Sequence, residues 1–159
     1  MLPKSTKAII IGGGVAGCSC AYHLAKFGWK DVALLERDQL TSGTTWHGAG
    51  LVSQLGPTAA VTKIRKYSLN LYKKLEKEMD FSSGLKLNGA LSVATTKGRW
   101  QELLRQATTA QLNDVNVEVL NVKQIKKIYP VINDKGIYGG IFMPGDGQAD
   151  PVGVTNLLA

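Results

Sequence analysis

Apolar runs and periodic apolar stripes divide the chain into alternating short strands and helices. Ala8-Ile9-Ile10-Ile11 is apolar with no polar alternation, the pattern of a strand buried on both faces, as in a parallel sheet. A helical pattern follows and turns at Phe27-Gly28-Trp29. Ala21 and Gly28 extend its small-residue spacing, so the helix can lie close to the sheet. Asp31-Val32-Ala33-Leu34-Leu35 reads as a second strand that ends at Glu36. Residues 54–57 break the pattern, and Pro57 is placed to open a helix. Val61, Ile64, Ser68, Leu71 and Leu75 then recur at threes and fours, one helical face lasting to about Met79. Lys63, Lys66, Lys73, Glu76 and Lys77 fall on the opposite face, and Tyr67 and Tyr72 read as packing residues rather than substrate-facing aromatics.

Residues 81–84 form a linker, and 85–94 alternate as a strand with a bend or bulge at Gly89. Thr95-Thr96 offers a cap for a helix from Lys97 to about Leu112, with Trp100, Leu103, Leu104 and Ala107 on one face. A strand over 115–120 follows. Asn121 caps a short helix that stops before Pro130, and a further strand covers 136–142. At the end, Asp150 and Pro151 stand at the N-cap and first position of a last helix.

The junction of the first strand and helix carries the chemistry. Gly12, Gly14 and Gly17 make G-x-G-x-x-G in its required setting, strand before and helix after. Gly12 permits the tight turn, Gly14 lets the backbone approach a pyrophosphate, and Gly17 lets helix and strand pack closely. Val15 and Ala16 open the helix, whose unpaired N–H groups and partial positive charge suit phosphates. Glu36 lies nineteen residues after Gly17, where a carboxylate accepts hydrogen bonds from ribose hydroxyls. Its charge repels a 2′-phosphate, which argues against NADP. The competing reading is a glycine-rich turn that binds nothing; element order and acid spacing argue against it.

Composition narrows the classes. The 159 residues suffice for one domain with a real core. A net charge of +7 invites a nucleic-acid partner, but the basic residues are scattered. Lys73-Lys74 and Lys126-Lys127 lie in helical patterns and read as solvated faces, so no nucleic acid is expected. Cys18 and Cys20 point to different faces of one helix and cannot bridge. They read as small buried packing residues in a reducing compartment. No apolar run approaches the length of a membrane span, so no membrane is expected. Residues 1–7 are too short for a signal peptide. The expected location is cytoplasmic, or the mitochondrial matrix if a transit peptide has been removed. No metal-ligand set, internal repeat or low-complexity tract is read.

The loop 41–51 (Thr-Ser-Gly-Thr-Thr-Trp-His-Gly-Ala-Gly-Leu) is small, hydroxyl-rich and glycine-rich. Such a segment can lie against a ligand and donate hydrogen bonds to it. On residue type alone, His47 reads as a packed loop histidine, and His23, mid-helix, as structural.

The glycine turn, Glu36-Arg37 and loop 41–51 together resemble the sarcosine and dimethylglycine dehydrogenase family of D-amino-acid-oxidase-like FAD enzymes. Pro144-Gly145-Asp146-Gly147 and Asp150-Pro151 resemble it too. The resemblance spans nearly the whole chain. It implies an α/β fold: a Rossmann-like FAD-binding domain of the glutathione-reductase/D-amino-acid-oxidase type, incomplete, over 1–80 and 143–159. The start of a β-rich α+β substrate domain is implied over 81–142. The cofactor implied is FAD, with Gly12, Gly14 and Gly17, Val15 and Ala16 at the pyrophosphate. Glu36 takes the adenosine ribose, with Arg37 beside it. Gly43, Thr44, Thr45, Trp46, His47, Gly48, Ala49, Gly50 and Leu51 wrap the flavin side. His47 falls on the position that carries flavin covalently through its 8-methyl group, which reverses the reading from residue type alone. Gly48 departs from the family's Ala or Thr.

The implied reaction is oxidation of an N-methylated glycine-type amine, sarcosine or dimethylglycine, by hydride transfer to flavin N5. An iminium results, and water or tetrahydrofolate held by a C-terminal domain takes the one-carbon unit. Electrons leave for oxygen or an electron-transfer flavoprotein. Substrate-clamping residues are expected beyond Ala159, and no catalytic acid or base is assigned. The last helix lacks a closing Gly, Asn or Pro, so the chain is expected to be an N-terminal piece with an unpaired sheet edge that holds FAD poorly alone. Two other readings remain. A non-catalytic regulatory relative is disfavoured by His47 within Thr44-Thr45-Trp46-His47. An NAD-dependent dehydrogenase is disfavoured by the loop 42–50 directly after Glu36-Arg37.

Overall fold

The computed structural model describes residues 5–159, so the expectation resting on residues 1–4 lies outside the described residues. The chain divides into two compact units, one of residues 1–51, 70–85 and 148–159, the other of 52–69 and 86–147.

In the first unit, strand β1 (Ala8–Ile11) pairs in parallel with β2 (Val32–Leu35), with Ala8 opposite Val32 and Ile11 opposite Leu35. Helix α1 (Val15–Lys26) makes the crossover that parallel strands require. β1 is not buried on both faces. Ala8 and Ile10 are half-buried, whereas Ile9 and Ile11 are 59% and 86% exposed. Ile10 faces α1, its Cγ2 lying 3.4 Å from where a side chain on Gly17 would begin. The strand therefore alternates, covered by α1 on one side only. The two cysteines also part company: both are free, and Cys18 is buried while Cys20 is exposed. α5 (Pro151–Leu158) packs on α1 and buries Val154, Leu157 and Leu158. Asp150 caps it as expected, its carboxylate accepting the N–H groups of Val152 and Gly153 at 3.1 Å each.

In the second unit, β4 (Ala90–Ala94), β5 (Glu118–Leu120) and β6 (Gly139–Met143) form an antiparallel sheet in the order β4-β6-β5. Each strand is shorter than its apolar pattern, and Gly89, at φ +80°, makes the expected bend before β4. α3 (Lys97–Leu112) starts at its Thr96 cap, whose hydroxyl accepts the Arg99 N–H. It packs Leu103, Ala107 and Ala110 against Ala94, Ile141 and Met143. Leu104, expected on that face, is exposed, and Ala110 takes its place. α4 (Val122–Ile128) opens with a full capping box between Asn121 and Gln124.

α2 (Ala59–Met79) departs most from its pattern. Pro57 stands two residues before it, and Thr58 accepts the Val61 N–H. Residues 59–69 belong to the second unit and 70–79 to the first. Its fully buried positions are Thr62, Leu69, Leu71 and Leu75, while Ile64 is exposed. The single stripe predicted from Val61 to Leu75 is divided between the units, with Thr62 and Leu69 buried in the second and Leu71 and Leu75 in the first. Tyr72 is half-buried and Tyr67 exposed, and Lys73, Lys74, Lys126 and Lys127 are all exposed, as solvated faces require.

Candidate functional site

The site is a cleft in the first unit, where β1 passes into α1. The loop segment Leu51–Val52 is strand β3 and Gly147–Gln148 is β7; neither lines the cleft. Gly12 turns the chain at φ +107°, a conformation that side chains oppose. Gly17 allows the helix to begin immediately. A Cβ there would stand 1.9 Å from the Gly12 carbonyl oxygen, closer than any contact allows.

The cleft has a volume of about 610 Å³, and its walls are Ile11, Gly12, Gly14, Val15, Ala16, Gly17, Glu36, Gly43, Thr44, Thr45, Gly48 and Pro151. Ten of the residues predicted from sequence are thus brought together. Arg37, Trp46, His47, Ala49, Gly50 and Leu51 are not part of this wall.

Glu36 organises the turn electrostatically. Its Oε2 accepts the Gly13 N–H at 2.6 Å, and Oε1 accepts those of Arg37 at 2.8 Å and Asp38 at 3.2 Å. The Gly13 amide above all, then those of Asp38 and Arg37, holds its carboxyl below the usual carboxylate range. A carboxylate offers about four acceptor positions, so three amides leave capacity for a hydroxyl. The same negative charge, after burial, pushes the Cys18 thiol up, so that it stays protonated beneath the turn.

No side chain caps α1 at Gly14. Its first N–H is nonetheless taken, since Val15 donates to Thr45 Oγ1 at 3.0 Å. Val15 is therefore not a bare donor. Thr45 accepts from it and keeps its own O–H to donate into the cleft. Thr45 also stands against Gly14, where a Cβ would meet its Oγ1 at 2.8 Å. Thr41, buried at φ +72°, donates its N–H to the Gly13 carbonyl and ties the loop to the turn.

Beyond the cleft wall, a short 3₁₀ turn (Thr45–His47) carries the remaining loop residues. The rings of Trp46 and His47 lie 3.9 Å apart at 39°, and both residues are exposed. His47 Nδ1 lies 3.3 Å from the Gly43 carbonyl. A carbonyl only accepts, so at this contact Nδ1 carries the proton, which in the neutral ring leaves the lone pair on Nε2. His23, by contrast, turns Nδ1 to the Ser19 carbonyl at 2.7 Å within its own helix, consistent with a structural role.

Of the cleft wall, sequence reasoning missed Ile11 and Pro151, and it gave Gly13 and Thr41, within the turn and the loop, no role of their own. Only Pro151 had a local signal, its Asp-Pro helix start; its arrival beside Gly48, 3.3 Å from where a Cβ there would stand, is a long-range fact.

These features fit the adenosine-diphosphate half of a dinucleotide. The turn has no side chain to block a pyrophosphate, the helix end faces it, and an ionised acid with spare acceptor positions sits across the cleft. Binding should be indifferent to pH near neutrality. A depressed carboxyl contributes above its ordinary pKa and loses that contribution as pH falls through the depressed value. Titration of dinucleotide affinity should therefore show a loss only on the acid side, below the ordinary carboxylate range, and Glu36→Gln should flatten it. A loss centred at neutral pH would exclude Glu36 as the responsible group.

Residues 7–159 match the family model described as DAO, FAD dependent oxidoreductase. The chain is 40% identical over 153 residues to the mitochondrial dimethylglycine dehydrogenase of Homo sapiens, covering 96% of this chain and 18% of that protein. It is 38% identical over 159 residues to the mitochondrial sarcosine dehydrogenase of Homo sapiens, covering 99% of this chain and 17% of that protein. Among solved structures, L-proline dehydrogenase from P. horikoshii superposes with a TM-score of 0.90 at 27% identity, covering 99% of this chain and 41% of that one. The chain thus spans less than a fifth of the length of these curated relatives.

Proposed function

Because this chain belongs to the DAO family of FAD-dependent oxidoreductases, we propose that it forms the adenosine-diphosphate-binding part of a flavoenzyme acting on N-methylated glycine-type amines. The observation that carries the reading is the junction of β1 and α1, where an ionised Glu36 and an unblocked glycine turn face one cleft. In this proposal Gly14 and Ala16 offer backbone N–H groups to the pyrophosphate, with the Thr45 hydroxyl as a further donor, while the Gly12 N–H is held by the Leu35 carbonyl at 2.8 Å and Gly12 serves the turn. Glu36 accepts from the ribose. FAD, when bound, supplies the acceptor for a hydride from the amine's methyl carbon. The loop 43–51 would lie on the flavin side, with His47 the residue that would carry a covalent tether to it. The 1–80 and 143–159 segments are assigned to cofactor binding and 81–142 to the substrate side.

What supports the substrate class is the likeness to two relatives named for sarcosine and dimethylglycine. The test is anaerobic mixing of purified full-length protein with candidate amines. Yellow protein whose visible band is bleached by sarcosine or dimethylglycine, and not by glycine, is the expected result. Colourless protein that reduces NAD would overturn the flavin assignment. Pigment that no amine bleaches would favour a regulatory relative.

A further inference from the structure

Pro151, the first residue of α5, forms part of the cleft wall, and α5 packs on α1 and on the 3₁₀ turn of the loop. A chain of hydrogen bonds from α2 also reaches this helix start. Glu76, on α2, accepts both the N–H of Ser83 at 2.6 Å and its O–H at 2.8 Å on a single oxygen, Oε1. Ser83 is fully buried. Its carbonyl in turn accepts the N–H of Asp150, the N-cap of α5, at 2.9 Å. The helix sits directly on this linker, since a Cβ on Gly153 would come within 2.9 Å of Ser83 Cα. On its other side, Ala149 donates its N–H to the Gly50 carbonyl at 2.8 Å.

We propose that Glu76 is a positioning residue for the cofactor cleft: by fixing Ser83 it fixes Asp150, and so sets where Pro151 stands against Gly48. Every link is a short, directional bond, and a carboxylate acceptor makes the first ones strong. The linker has no helix or strand of its own to hold it. Without Glu76, the buried Ser83 N–H and O–H lose their partner, and the segment shifts to find water. The effect on cofactor rests on the flavin reading above; the effect on the helix start does not.

The test uses full-length protein in a His47→Ala background, where no tether keeps the flavin from being removed, with amide hydrogen exchange followed by mass spectrometry. Glu76→Ala should speed exchange in peptides covering 148–155 by about tenfold or more, as expected for losing hydrogen bonds to a charged group. Protection of β4–β6 should not change, and the FAD dissociation constant should rise by a similar factor. Glu76→Gln retains an acceptor oxygen and should restore both. If Glu76→Ala does not fold, Ser83→Ala, which removes only the O–H, should give the same local pattern at smaller size. The proposal is overturned if Glu76→Gln behaves like alanine, if exchange at 148–155 is unchanged, or if protection falls evenly along the chain. A His47→Ala parent protein without FAD affinity would sink the flavin reading, and the exchange pattern would still decide the role of Glu76.

Discussion

Gly17→Ala is expected to abolish flavin binding and to destabilise the first unit by roughly 3 kcal/mol, at the top of the usual range for overpacking. The added Cβ would stand 1.9 Å from the Gly12 carbonyl oxygen and 3.1 Å from its carbon. Both are backbone atoms, so no side-chain rotation relieves the clash. The helix must retreat from the strand, and its N-terminus leaves the position facing the cleft. Gly12→Ala should cost less, about 1–3 kcal/mol, for a different reason. Space is open around Gly12, but its φ of +107° is one a side chain resists. Gly43→Ala should be nearly silent, because position 43 has neither a close neighbour nor a positive φ. Thermal midpoints and the flavin content of the three purified variants check the order. Equal effects at 17 and 43 would mean that the cleft does not depend on close approach of α1 to β1.

These three glycines show how far the sequence reveals the site. The motif spacing, the strand before it and the acid after it were all local, and the parallel pair β1–β2 follows from them. Caps were legible for the same reason. Thr96, Asn121 and Asp150 each satisfy N–H groups within three residues of themselves, so no distant partner was needed to recognise them. Features that depend on which neighbour arrives from elsewhere were not legible. The apolar run of β1 reads as buried on both faces, yet Ile11 is open because α1 covers the opposite side. The stripe on α2 was drawn for one core, whereas the helix serves two units and changes its buried face along its length. The occupation of the Val15 N–H by Thr45, thirty residues on, changes which donors face the cleft. No local pattern could have signalled it. Membership of the family was legible from the loop 41–51 taken with the glycine turn, since each alone is a common feature.

His47→Ala is expected to convert the flavin from a pigment that survives denaturation to one that acid releases completely. On the proposed reading, His47 carries the tether. The imidazole is exposed, and the Gly43 carbonyl engages Nδ1, so in the neutral ring Nε2 keeps the lone pair. The Trp46 ring lies beside the imidazole, with 3.9 Å between the centroids. Among the described residues, His23 cannot substitute. It lies on α1 with Nδ1 against the Ser19 carbonyl, outside the loop. The measurement is acid precipitation of full-length wild-type and variant protein, followed by absorbance of pellet and supernatant. Wild type should leave its yellow in the pellet and His47→Ala in the supernatant. Thr45→Ala separates tethering from binding, because it removes the hydroxyl that faces Gly14 and Val15 while leaving the imidazole intact. It should slow loading of the cofactor, yet whatever loads should remain in the pellet. Release of all pigment from wild type, or retention by His47→Ala, would move the attachment away from this residue without touching the dinucleotide site at Glu36.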